Sequence, residues 1–180
     1  MLKANVWFTA DLHFGHDNVI NYCNRPFSFV EEMNDALITN WNSRVKPQDF
    51  VFCVGDFGFG SKESLKKIFN QLQGQKCLIK GNHDKEALSL GWQWVKDYYE
   101  LSLKDFDKKI ILSHYAMRVW NGSYRGSLML YGHSHGNLPG NTQSTDVGVD
   151  CWDYAPCNLD QILDRMSKSV PYFEGKATGD

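Results

Sequence analysis

Leu78-Ile79-Lys80-Gly81-Asn82-His83-Asp84 decides how the chain folds and where its chemistry sits. The apolar run from Cys77 to Ile79 ends abruptly at Lys80 and Gly81, and three polar side chains follow, as when a buried strand stops at a site. Asn82 offers a neutral amide oxygen to a hard cation. His83 can ligate or transfer a proton, and Asp84 can orient His83 by a hydrogen bond from behind. A surface turn of Gly-Asn-His-Asp would read the same in isolation, so its neighbours carry the weight.

Upstream lie two more strand ends of the same kind. Residues 4–10 form an apolar, β-rich run that stops at Asp11, and Asp49 to Val54 form a second that delivers Gly55-Asp56. Asp11 and His13, two apart on a segment leaving a strand, can face one ion, and Gly15 lets the backbone turn close to it. Between these strands Val30, Met33, Leu37, Trp41 and Val45 recur at helical spacing, with Ser28 as N-cap and Glu31 completing a capping box. Ser61 caps a second helix running to about Leu72, with Leu65, Ile68, Phe69 and Leu72 on its apolar side. Strands alternating with helices predict parallel βαβ units with right-handed crossovers, where ligands sit beyond the carboxyl ends of the strands. All three polar clusters fall there.

Downstream, a short helix is expected near 85–90, followed by closely spaced strands at 94–103, 109–113, 127–131 and 146–150 that form a second sheet. Ile110 to Ser113 leads into His114, and Leu128 to Tyr131 leads into Gly132-His133-Ser134-His135, where alternation sets His133 and His135 on one side. The loop 115–126 carries Arg118 and Asn121 beside them. Asn158 caps a last helix over 159–167, and the tail from Lys168 is expected to fray.

Composition excludes several classes. A chain of 180 residues forms one domain spanning 1–180, and 42% hydrophobic with 22% charged residues is the balance of an ordinary globular protein. A net charge of −2 supplies no basic field for long nucleic acid. No apolar run approaches the roughly 20 residues a bilayer requires, and Val6 to Ala10 is too short for a signal peptide, so no membrane is expected and the cytoplasm is the expected location. Five cysteines without a C-x-x-C spacing fit reduced thiols, with Cys53 and Cys77 in the core and Cys151 and Cys157 unlinked.

Each of the six histidines, at 13, 16, 83, 114, 133 and 135, lies in a glycine-flanked or strand-terminal cluster, none on the face of a predicted helix. With Asp11, Asp56 and Asn82 they supply more ligands than one ion can take, which points to two metals bridged by a shared carboxylate. Asp56, isolated between glycine-rich neighbours, is the natural bridge. A structural zinc protein would want cysteine-rich ligands, and a non-catalytic scaffold would show an eroded set.

The ordered set D-x-H (Asp11, His13), G-D (Gly55, Asp56), G-N-H-D (81–84), a lone strand-end His114 and G-H-x-H (132–135) resembles the calcineurin-like metallophosphoesterases. The runs at 11–16, 114–123 and 147–150 also resemble a compact bacterial and phage-type branch of that family. One departure is Phe57-Gly58-Phe59-Gly60, without the polar residue that many members carry shortly after Gly-Asp. The resemblance implies an α/β fold, a four-layer αββα sandwich of two mixed β-sheets flanked by helices. It implies one metal held by Asp11, His13, Asp56 and His135 and another by Asp56, Asn82, His114 and His133. Manganese leads among the ions that suit imidazole with carboxylate; iron, nickel, cobalt and zinc are the others.

The expected activity is hydrolysis of a phosphate ester, a phosphodiester first, by in-line attack of a hydroxide bridging ions about 3.5–4 Å apart. A phosphomonoesterase, or a nuclease acting on short or cyclic nucleotides, is the alternative. His83 is expected to protonate the leaving alkoxide or bind a phosphate oxygen, with Asp84 orienting it. Arg118 and Asn121 are candidate substrate contacts, and His16 is either a third or a packing residue.

Overall fold

Buried strands alternate their side chains between two cores, and this alternation sets the layers. The structure, a computed structural model, describes residues 5–172. In the first sheet β1 (Val6–Thr9), β2 (Phe50–Cys53), β3 (Gln75–Ile79) and β4 (Val95–Lys96) run parallel, and β9 (Cys157–Asn158) joins the β1 edge antiparallel. The second sheet has the order β5 (Tyr98–Leu103), β6 (Phe106–Ser113), β7 (Leu128–Tyr131), β8 (Ser144–Asp146), with β5–β6 antiparallel and the other pairs parallel. Both sheets are therefore mixed. The helices are α1 (Asn18–Tyr22), α2 (Val30–Arg44), α3 (Lys62–Gln71) and α4 (Leu159–Ser167).

Val51, Cys53 and Leu78 face the α2 and α3 side, meeting Met33, Leu37, Trp41, Leu65 and Phe69. Their neighbours Phe52, Cys77 and Ile79 face the other way, against Leu101, Ile110, Leu112, Leu128 and Leu130 of the second sheet and Ile162 and Met166 of α4. The outermost layer is thin: Ile111, Met129 and Tyr131 are covered by Trp120, Met117 and Tyr172. Both expected caps of the later helices form: the Ser61 hydroxyl accepts the Ser64 N–H at 3.2 Å, and Asn158 and Gln161 make a reciprocal capping box.

Several expectations are corrected. The run 94–103 divides at Asp97, so that β4 completes the first sheet and only β5 belongs to the second. The stretch 146–150 is not a strand. β8 ends at Asp146, whose carboxylate accepts the N–H of Gly136 at 3.0 Å and of Gly148 at 2.7 Å, and the chain turns into a 3-10 turn at Val149–Cys151. Ser28 and Glu31 form no capping box. Phe29 is the N-cap of α2, and the Ser28 N–H donates to the Glu32 carboxylate at 2.6 Å, because Glu32 reaches back over the first turn. Only Ala87–Ser89 of the expected helix at 85–90 is helical, as one 3-10 turn. The tail is docked as far as Tyr172: the Val170 carbonyl accepts the Thr142 N–H at 2.9 Å and the Tyr172 ring lies 4.8 Å from Trp120. Its remainder, from residue 173, lies outside the described residues, as does residue 4 of the first expected strand. Among the described residues no helix is long and apolar enough to cross a membrane.

Candidate metal centre

Beyond the ends of β1 and β2 the backbone pairing continues into the loops. The N–H groups of Asp11, His13 and Phe14 donate to the carbonyls of Gly55, Asp56 and Phe57, each at 3.0 Å, which lays D-x-H directly beside G-D. The loops then turn sharply: Asp11, His13, Asp56, His133 and His135 all have positive φ, between 45° and 66°. L-residues pay roughly 1–2 kcal/mol for this region, so five adjacent instances are strain concentrated at a functional site. Two glycines permit the approach. A Cβ on Gly81 would collide with Asp56 Oδ1, and one on Gly55, itself at φ +93°, would collide with the His114 ring.

Two groups of ligand atoms result. Asp11, His13 and His135 each present an atom within 4.8 Å of the others, and so do Asp56, His114 and His133. Asn82 joins the second group, its Oδ1 lying 3.0 Å from His114 Nε2. The second sheet is tied to the first at this point, since the His133 N–H donates to the Asp11 carboxylate at 2.8 Å.

The donor chemistry fits cations. Both ring nitrogens of His13 are buried without a hydrogen-bond partner, a situation costing about 1–3 kcal/mol per polar group unless a ligand completes it. Burial, outweighing the nearby Asp56, lowers the His13 imidazole to about 3, which keeps its lone pair available. Burial also raises the Asp11 carboxyl to about 7, a direction a bound cation would reverse. For Asp56, burial pushes upward, but the neighbouring His114 imidazole prevails and holds it at about 2.

His114 Nδ1 lies 2.9 Å from the Val54 carbonyl, so that N–H donates there and Nε2 is left facing two oxygens, of Asn82 and Asp56. His135 Nδ1 likewise donates to Asp150 Oδ2 at 2.7 Å, which frees its Nε2. Burial alone would depress His135, yet the Asp150 hydrogen bond raises it, and the same pairing holds Asp150 low against its own burial.

His83 and His16 are also gathered here. The His83 ring packs 4.7 Å from Phe59 and 5.8 Å from His13, while its N–H donates to Asp56 Oδ1 at 2.9 Å. His16 stacks on Phe59 at 4.1 Å, its ring 5.4 Å from His13; burial and His83 lower its pKa. Phe59 is thus a platform for three imidazoles.

One expected site residue has a different role and two are placed elsewhere. Asp84 does not orient His83. Wholly buried, it accepts the N–H groups of Gly81 at 2.7 Å, Phe57 at 2.7 Å and Asp56 at 2.9 Å, because these donors at two strand ends lie closer than the imidazole. Burial raises its pKa against those bonds. The Asn121 amide is spent on the Glu100 carboxylate at 2.8 and 3.0 Å, in a depression with Lys108, Lys109 and Arg125. Arg118 is exposed on a different depression, with Met117, Trp120 and Pro139.

Sequence reading passed over Arg25, Asp150 and Tyr115. Tyr115 is half exposed, its ring 4.7 Å from His133 and its hydroxyl donating to Asn82 Oδ1 at 3.2 Å. Its place directly after the strand-end His114 was the available signal.

Two stacked mixed sheets with imidazole, amide and carboxylate groups converging beyond their strand ends define a metal-dependent phosphoesterase. The chain belongs to the calcineurin-like phosphoesterase family, which it matches over residues 4–107. It is 31% identical over 177 residues to an uncharacterized protein of Methanocaldococcus jannaschii, covering 93% of this chain and 94% of the relative. The gene 66 protein of Mycobacterium phage D29 is 26% identical over 198 residues, covering 91% and 96%. Among solved structures, a protein of unknown function from Aquifex aeolicus superposes with TM-score 0.68 at 25% identity, over 91% of this chain and 99% of that one. An archaeal phosphodiesterase shares the fold, with TM-score 0.50 at 18% identity over 81% and 82%. The family match stops before His114, so His114, His133 and His135 join the site through the second sheet's geometry.

Proposed function

We propose that the chain, acting as one domain, hydrolyses phosphodiesters with two divalent cations. Asp11, His13, Asp56 and His135 would hold one, and Asp56, Asn82, His114 and His133 the other. The observation that carries this reading is the position of Asp56 Oδ2, 3.7 Å from His13 Nε2 and 3.5 Å from His114 Nε2. Both gaps exceed a hydrogen bond, so one carboxylate oxygen stands between the two groups and would be available to both cations. When bound, such cations supply Lewis acidity toward the phosphoryl oxygens and a nucleophilic water near neutral pH. Manganese is the proposed ion.

The protein's own groups divide the remaining work. Asp56 is fixed through Oδ1 by the His83 N–H, which leaves Oδ2 free to serve the cations. His83 is exposed at the mouth, its ring steadied on Phe59, where it can give a proton to the leaving alkoxide. His16, stacked on the same platform, would meet a phosphate oxygen. The diester preference rests on openness: Asn82, His83, Tyr115 and His133 are all exposed, which leaves room for an ester arm on each side of the phosphorus. The five free cysteines support a reducing compartment, the cytoplasm.

The test strips the protein with a chelator, restores manganese, iron, nickel, cobalt or zinc singly, and assays an aryl phosphodiester, an aryl phosphomonoester and a cyclic nucleotide. Activity should vanish on chelation and return best with manganese, with diester kcat/KM at least about tenfold above monoester, a difference of about 1.4 kcal/mol in transition-state binding. Full turnover after chelation would sink the metal mechanism. A monoester preference would sink the diester assignment.

A further inference from the structure

Arg25 is nearly fully buried, and every donor of its guanidinium has a destination. Nε donates to Asp150 Oδ1 at 2.8 Å and one terminal nitrogen to Asp150 Oδ2 at 2.8 Å, a bidentate fork across 125 positions of sequence. That nitrogen also donates to the Asp11 carbonyl at 2.7 Å, and the other donates to the Leu12 carbonyl at 3.0 Å and lies 3.4 Å from Met33 Sδ. Four oxygens and a thioether thus face the five N–H groups an arginine offers.

These acceptors share one neighbourhood. The Asp11 and Leu12 carbonyls belong to the strained turn that aims the Asp11 carboxylate and the His13 ring. Asp150 holds the Nδ1–H of His135. One cation therefore fixes, directly or through one carboxylate, all three residues of the Asp11, His13 and His135 group. In the Asp56, Asn82, His114 and His133 group, His114 and the Asp56 loop are held by other means, the Val54 carbonyl and the Asp84 carboxylate, and only the His133 N–H reaches across to the first group, at the Asp11 carboxylate.

We propose that Arg25 and Asp150 are positioning residues for the first ion alone, a buried strap whose loss turns a two-ion centre into a one-ion centre. This rests on the two-ion reading above. Lysine cannot replace the strap's arginine, because an ammonium lacks the planar fork that grips both Asp150 oxygens while reaching two carbonyls.

The test uses the full chain, Mn2+ as probe, and the variants Asp150→Asn and Arg25→Lys. Asp150→Asn preserves volume and an acceptor for His135, so it remains informative if Arg25→Lys does not fold. Calorimetric titration and metal analysis give stoichiometry and affinity, and electron paramagnetic resonance separates an exchange-coupled manganese pair from an isolated ion. The wild type should take two Mn2+ and give a coupled spectrum. The variants should bind one at about the wild-type affinity and give the isolated spectrum, with affinity at the other position reduced about 10–100-fold. Variants with two ions at unchanged affinities overturn the strap while leaving the two-ion reading intact. Parallel weakening of both ions in a folded variant also overturns it, as a general structural role would do. A wild type that takes one ion or none overturns the two-ion reading, and the strap's selectivity with it.

Discussion

The two halves of the centre are built by different physics. The Asp11, His13 and His135 half is drawn together from opposite ends of the chain and closed by a buried charged pair, Arg25 with Asp150. The Asp56, Asn82, His114 and His133 half sits on two pairs of adjacent parallel strand ends, β2 with β3 and β6 with β7, and its Asp56 and Asn82 loops are joined by three backbone N–H groups on Asp84. A charged strap grips remote segments but is costly to break, because a lone buried charge is left behind. A carboxylate saturated by backbone N–H groups works only where two loops already run side by side. The comparison teaches that the first ligand group depends on a long-range charged strap and the second on strand pairing within each sheet, with Asp56 lying between them.

The largest effect should come from that shared point. Asp56→Asn removes charge from the one oxygen that faces both groups, so steady-state turnover should fall by a factor on the order of 10²–10³ or more, with both ions weakened in titration. Wild-type turnover, or loss of one ion only, would break the picture of a common bridge. Next comes His83, whose backbone is bound to Asp56 while its ring lies against His13 and Phe59. His83→Ala should slow alkyl phosphodiesters by about a hundredfold, the scale of general acid catalysis, and aryl diesters much less, since an aryl oxide leaves without help. Equal losses on the two ester types would assign His83 to binding.

The difference between the halves also explains what could be read in advance. Strand ends were legible because Cys77-Leu78-Ile79 and Phe52-Cys53-Val54 are apolar runs cut off by glycine and polar residues, and parallel order brings such ends to one edge. The ligands of both halves follow from that pattern. The strap that closes the first half does not. Nothing local to Arg25 announces a partner 125 residues away, and the β-like pattern of 146–150 concealed a turn that presents Asp150 to His135. Left-handed backbone at Asp11, His13, Asp56, His133 and His135 has no sequence signature either, being imposed by the surrounding contacts. Asp84 and Asn121 were misplaced for one reason: each was assigned to the nearest chemistry in sequence, while closer partners, backbone N–H groups for one and Glu100 for the other, lie across a neighbouring strand.

Asp84 measures how much the local half depends on its anchor. Asp84→Ala leaves three N–H groups without their acceptor, each costing about 1–3 kcal/mol when left unpaired in the interior. Chemical denaturation should register a loss of at least about 3 kcal/mol, and the ion at Asn82, His114 and His133 should weaken before the one at His13 and His135. A loss below 1 kcal/mol would mean that water or a rearranged loop replaces the carboxylate, and the contrast between the halves would dissolve.

Asp49, at the opposite end of the same strands, sharpens the comparison with the smallest effect. It is buried and accepts the N–H of Asn5 at 2.9 Å, the N–H of Lys46 at 3.0 Å and the Trp7 indole N–H at 3.1 Å. Burial pushes its carboxyl upward, but these donors, Asn5 first, carry it below the ordinary value of 3.8. A carboxyl lowered on folding binds fewer protons in the native state, so its stabilisation is fully present above the unfolded pKa and disappears as pH falls through the lower folded value. Asp49→Asn should therefore cost about 1.5–3 kcal/mol near neutrality, the scale of hydrogen bonds to a charged group. The gap from wild type should close as urea denaturation is repeated at successively lower pH below 3.8, with kcat per folded molecule unchanged throughout. A pH-independent gap would assign the loss to packing instead of charge, and a fall in kcat would show that the sheet transmits disturbance at its far end to the strand ends where the ligand groups meet.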